Sequence, residues 1–335
     1  MKRLFIAVVG LALAGGIFAA DAPVKIKLGT LVPKDSSPHQ SLKLMAEQWR
    51  QAPGGGVHLI MFTDGTQGGE ADMVRRMRIG QLQAAVLTSV GLAEIDNSVT
   101  ALQTMPLVYR TLDEVDYVRE KVRQKLEHRL ADKGFVVLFW TDAGWVKCFS
   151  RRPVLFPDDL KKQKLFVWAG ESKSLEIITS VGFQAVPLET ADIVIGLKNR
   201  LIDAIPLPPF FALAGQIYDT AQNMLDLNWA PLSGACVVSR KVWDKLPPDA
   251  QVVLRESAEK AGNDIRAQAR KEMTESVVAM QKRGLTVQTL TPAAAEEWRK
   301  LAESTYPKIR GGLVPADMFD EVMQLLAEYR AAQTP

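Results

Sequence analysis

The chain has 335 residues, 47% of them hydrophobic and 24% charged, with a formal net charge of +3. This is a globular balance, and the cations are spread along the chain, which excludes the clustered basic face of a nucleic-acid-binding protein. Two cysteines (Cys148, Cys236) and three scattered histidines (His39, His58, His128) show neither CxxC nor metal-ligand spacing, so no metal and no cofactor are expected.

Taken in chain order, Met1-Lys2-Arg3, an apolar run from Leu4 to Ala20 and then Asp21-Ala22-Pro23 predict a Sec-type signal peptide over 1–22. There is no lipobox cysteine, so an exported protein without a lipid anchor is expected. In an oxidising compartment Cys148 and Cys236 either pair or stay as buried thiols, and the sequence leaves both open. The remaining chain, about 310 residues, exceeds one comfortable core and predicts two lobes.

Short apolar runs alternate with helical patterns, the mark of an α/β architecture. Strands are predicted at 26–32, 57–63, 84–88, 136–141, 146–150, 164–169, 185–188, 201–205, 234–239 and 285–290. Helices are predicted at 37–51, 69–79, 113–131, 172–181 and 191–199. A long helix over 249–283 follows, started by Pro247-Pro248-Asp249, and two more close the chain at 292–304 and 316–331. No long linker is present, so any passage between lobes is tight, with 136–141, 146–150 and 234–239 as candidate crossings.

The motifs, in this order and spacing, resemble the extracytoplasmic solute receptors of TRAP (tripartite ATP-independent periplasmic) transporters, the DctP type. They are Ile26-Lys27-Leu28-Gly29-Thr30-Leu31, Gly65-Thr66-Gln67-Gly68-Gly69-Glu70, Gly80-Gln81-Leu82, Ser89-Val90-Gly91-Leu92 and Met105-Pro106-Leu107. Arg152-Pro153, Pro157-Asp158-Asp159-Leu160-Lys161, Val186-Pro187-Leu188 and Val238-Ser239-Arg240-Lys241-Val242-Trp243 continue the match. The resemblance implies a two-lobed periplasmic-binding-protein clamshell, type II-like, with hinge strands and a long bracing helix. It places lobe I at 23–140 plus 232–270, lobe II at 141–231 plus 284–312, the long helix at 249–283 and a C-terminal helix at 313–335. It also implies one buried ligand and, as partners, the small and large integral membrane subunits of a TRAP transporter. The sequence does not give an oligomeric state.

Departures from the family pattern bear on the ligand. The family's strand reads Lys-Ile-Arg-Val-Pro, and here Lys164-Leu165-Phe166-Val167-Trp168 puts Phe166 at the arginine. A second family arginine follows a glycine, and here Trp145 follows Gly144. The family's Asp-Gly-x-x-Asn-Pro is Asp203-Ala204-Ile205-Pro206-Leu207-Pro208. Arginine holds a carboxylate through a bidentate fork, so its loss disfavours a C4-dicarboxylate. Aromatic side chains each cover about 150–250 Å². Trp145, Phe166, Trp168, Phe210 and Phe211, with Pro206, are therefore expected to line a cleft for an apolar or aromatic ligand, oriented by His39, Gln67, Thr88, Ser89 or Asp142. An aromatic box for a quaternary amine, from Trp145 and Trp168 near Asp142 or Glu171, is the cationic alternative. A solute-binding protein of an ABC importer and a ligand-presenting sensor partner are the neighbouring readings. No Gly-x-Ser-x-Gly elbow, P-loop or dinucleotide fingerprint occurs, and no enzyme is expected.

Overall fold

A computed structural model describes residues 23–333, so the predicted signal peptide lies outside the described residues. The strands are β1 (Val24–Thr30), β2 (Val57–Phe62), β3 (Ala84–Thr88), β4 (Phe135–Trp145), β5 (Lys147–Ser150) and β6 (Lys164–Trp168). They continue as β7 (Gln184–Leu188), β8 (Ala204–Leu207), β9 (Asn223–Leu225), β10 (Pro231–Ser239) and β11 (Thr286–Gln288). They form two sheets, ordered β2-β1-β3-β10-β4 and β11-β9-β5-β8-β6-β7. Each sheet carries its own cores on its two faces, which makes the molecule two-lobed.

The first sheet grows from strict alternation. In β1, Ile26 and Leu28 are fully buried while Lys25 and Lys27 point out. Strands β1, β2 and β3 run parallel; β10 lies antiparallel between β3 and β4. Helix Ser37–Arg50 starts on Pro38 and buries Leu42, Met45, Ala46 and Trp49 at helical spacing against this sheet. In the second sheet β6 pairs in parallel with β7 and β8, and β5 runs antiparallel to both β8 and β9.

Both lobes are braced by the helix Pro248–Gln281, whose 34 residues span about 51 Å. Most residues of its buried face are small, and at Gly262 an added Cβ would stand 2.6 Å from the Phe139 ring, so the helix lies flush on β4 there. Trp49 Nε1 donates to Ser257 Oγ at 3.0 Å, fixing the first part of the helix to the first lobe. Further along, Met280 belongs to the core of the second lobe. Cys148 in β5 and Cys236 in β10 are free thiols on different sheets, and burial pushes the Cys148 thiol up to about 12.

Candidate functional site

Besides the long helix, the strands pass between lobes at two points that touch. One residue, Val146, separates β4 from β5, and the return from β9 to β10 runs through Trp229 and Ala230. Val146 N–H donates to the Ala230 carbonyl at 2.8 Å, and Trp229 N–H donates to the Val146 carbonyl at 3.2 Å. Leu107, from the first lobe, donates to the Trp229 carbonyl at 2.8 Å. Beside this crossing Lys147 Nζ lies 2.6 Å from Asp226 Oδ1 and 2.6 Å from Asn228 Oδ1, which occupies a buried cation entirely within the lobe.

A cavity of about 220 Å³ opens against the crossing. Its sheet wall is Cys148 of β5, Leu165 and Val167 of β6, Pro206 of β8 and Leu225 of β9. Facing it are Ile177, Ile178 and Val181 from and just after the helix Ser172–Ser180, and Trp298, Leu301 and Thr305 from the helix Pro292–Ile309. Gln103, Thr104 and Pro106 reach in from the first lobe, so the space lies at the junction of the two. The opening has a local cause. None of the residues of the helix Ser172–Ser180 is fully buried, so its apolar side chains stop short of filling the sheet face. One end is aromatic: Trp298 stacks near Phe183, with ring centroids 6.4 Å apart, and meets Trp229 edge-on at 5.9 Å.

At the other end stand Trp168 and Glu171. Trp168 Nε1 donates to Thr190 Oγ1 at 3.3 Å, and its ring meets Phe166 edge-on at 4.9 Å. Glu171 Oε1 is buried with no hydrogen-bond partner among the described residues. Burial pushes the Glu171 carboxyl above the usual glutamate range against a hydrogen bond from Ser174, and the charge of Glu70 adds to the rise. Glu70, in the first lobe, accepts from Thr88 N–H at 2.6 Å, Thr88 Oγ1 at 2.5 Å and Gly91 N–H at 3.0 Å. Burial still raises it overall, because those three bonds offset only part of the lost hydration. The lobes approach here: a Cβ at Gly69 would stand 3.6 Å from Glu189 Oε2.

Of the side chains singled out in the sequence, the structure brings Phe166, Trp168, Glu171 and Pro206 to the cavity wall. The others lie elsewhere. Trp145 is 4% exposed and packs in the core of the first lobe. Phe210 and Phe211 form an edge-on pair on the helix Pro209–Ala214, which packs on the long helix. Asp142 is bound by Arg270 at 2.9 Å and neighboured by Arg119 at 3.7 Å. Buried His39 accepts the Asp35 N–H at 2.8 Å, and burial, foremost, lowers its pKa. Thr88 caps the helix Ser89–Ala93 and donates to Glu70, and Ser89 Oγ donates to the Ser233 carbonyl at 3.3 Å. Gln67 is half-buried in the loop before Glu70. Sequence reasoning missed Trp229, Trp298, Phe183 and the Ile177–Ile178 pair as cavity residues. The only sequence signal of Trp298 and the isoleucines is apolar periodicity, which any packed helix shows, and Trp229 and Phe183 lie outside helices and strands and carry none.

The sequence profile of the bacterial extracellular solute-binding proteins, family 7 (DctP), matches residues 28–311. The 2,3-diketo-L-gulonate-binding periplasmic protein YiaO of Escherichia coli K12 is 27% identical over 271 residues, covering 80% of this chain and 82% of that protein. The C4-dicarboxylate-binding periplasmic protein DctP of Rhodobacter capsulatus is 20% identical, covering 90% of this chain and 91% of its own. Among solved structures, a TRAP periplasmic solute-binding protein of Ralstonia eutropha H16 with bound (S)-2-acetolactate superposes with a TM-score of 0.84 at 19% identity. It covers 91% of this chain and 99% of that one. A TRAP protein of Shewanella oneidensis with bound succinate gives the same score and identity, with 91% and 100% covered. The two-lobed α/β fold is theirs, and the chain belongs to the DctP family of bacterial extracellular solute-binding proteins, a family of binding receptors and not of enzymes.

Proposed function

We propose that this chain is exported to the periplasm and captures one small ligand at the junction of its lobes. The closed form is then presented to the small and large integral membrane subunits of a TRAP-type transporter. Those subunits must bind the closed form more tightly than the open one for the ligand to act as a signal. In this reading the ligand is largely apolar or aromatic, with a size set by the cavity of about 220 Å³.

One observation carries the ligand class: among the described residues that line the cavity there is no Lys, Arg or His. Relatives are named for acids or hold them in their structures. A carboxylate enclosed here would lose its hydration, at a cost of several kcal/mol, without gaining a cation. Phe166, at the position where the family pattern has arginine, is fully buried. Cations close in sequence to the cavity wall are engaged elsewhere: Lys164 with the Arg200 carbonyl at 3.1 Å, Lys147 with Asp226 and Lys173 with the Gly312 carbonyl at 2.9 Å. Mass spectrometry of small molecules released from protein purified out of a periplasmic extract tests the reading. An apolar or aromatic compound supports it, and a co-purified dicarboxylate or sugar acid overturns the ligand class.

A further inference from the structure

We propose that the ligand is an amphipathic monoamine, its apolar body in the cavity and its protonated amino group held by Glu171 beneath the ring of Trp168. The proposal rests on the apolar-cavity reading above and adds a charge to it.

Three features support it. Glu171 is the one charged side chain among the described residues lining the cavity, and its Oε1 is shut from solvent without a donor. A buried acceptor without a partner is uncommon in a finished site, because the lost hydration is not replaced. Second, the surroundings are acidic. Glu70 approaches from the first lobe closely enough to act on Glu171, and Glu189 reaches the Gly69 loop. Third, the aromatic partner is pre-set: Trp168 is held by Thr190 on its indole N–H and by Phe166 on its ring, so its face is oriented without a ligand. A cation over such a face is favoured, most strongly over indole.

These features discriminate among ligand charges. An acid would meet carboxyl groups and no cation. A neutral alcohol can satisfy Oε1 but gains nothing from Trp168 or from the surrounding negative potential. A protonated amine gains from all three, and its apolar remainder replaces the empty volume between the sheet and the helix Ser172–Ser180.

The test uses the mature protein and three matched probes, 2-phenylethylamine, 2-phenylethanol and 3-phenylpropanoate, with affinity read by calorimetry. The expected result is amine binding at least tenfold tighter than alcohol, with the acid weakest. Glu171→Gln is expected to weaken the amine at least tenfold and leave the alcohol within about twofold. Equal affinity for amine and alcohol, or an amine affinity unchanged in Glu171→Gln, overturns the amine assignment while the apolar reading stands. Binding of the acid alone, or of none of the three, overturns both. If Glu171→Gln does not fold, Trp168→Leu serves instead. It should reduce amine affinity more than alcohol affinity, and equal losses overturn the assignment.

Discussion

Val146 and Ala230 are joined by a backbone hydrogen bond of 2.8 Å where the two crossings between lobes run side by side. The bond couples the crossings, so in the proposed closure the lobes would turn about a paired hinge rather than about two independent tethers. Val146→Pro removes the donor and restrains the backbone at the single residue between β4 and β5. The expected loss is about 2 kcal/mol, a fall in Tm of about 4–8 °C by calorimetry. Ligand affinity should also fall, because closure uses the same residue.

The cavity at the junction can be closed from the helix side. Ile178 is half-buried, packs at the edge of the second lobe's core and lines the cavity, so a larger side chain has room to extend into it. Ile178→Trp should hold Tm within about 2 °C of the wild type, since it fills a void and displaces no packed group. It should lower ligand affinity more than tenfold. Unchanged affinity in a folded variant would place the ligand elsewhere.

Arg270 ties the long helix to the first lobe. It bonds Asp116 at 2.7 and 2.8 Å and Asp142 at 2.9 Å, and Asp142 is almost fully buried. Burial would raise the Asp116 carboxyl, but the Arg270 hydrogen bonds and the charges of Arg119, Arg270 and Arg266 outweigh it and hold the group below the usual 3.8. A folded-state pKa below the unfolded one gives stability that is present above pH 3.8 and lost as pH falls through the lower folded value. Arg270→Met should therefore cost about 3 kcal/mol at neutral pH, because it leaves Asp116 and Asp142 to share Arg119. Urea titrations at pH 7 and pH 3 check this, and the gap between variant and wild type should narrow at the lower pH.

Much of the fold was readable because its signals are local. Alternation in 24–30, the proline pair before Asp249 and the helical run behind it mark β1 and the helix Pro248–Gln281. Where tertiary context decides, the reading slips. The apolar stretch 136–141 continues as one strand to Trp145, since β10 pairs with it as far as that residue. The strand expected at 201–205 is β8, Ala204–Leu207, and it runs through Pro206. Pro206 lies opposite Cys148 of β5, and on the β6 side β8 is paired only at Ala204, so proline leaves no ladder bond unmade on that side. The site was legible only along β6, at Pro206 and at Glu171. Its opposite wall comes from helices more than a hundred residues apart, whose meeting depends on packing and not on spacing.

The flush seat of Gly262 on Phe139 and the Trp49–Ser257 bond clamp one end of the long helix, while Met280 anchors the other end in the second lobe. Such a rod behaves mechanically as a beam fixed in two bodies. Any rotation of the lobes must bend it across the span around Met273, whose sulfur touches the Trp145 N–H at 3.5 Å. On the proposed closure, bending this helix would carry an elastic cost, which would favour the return of the lobes once the ligand has left.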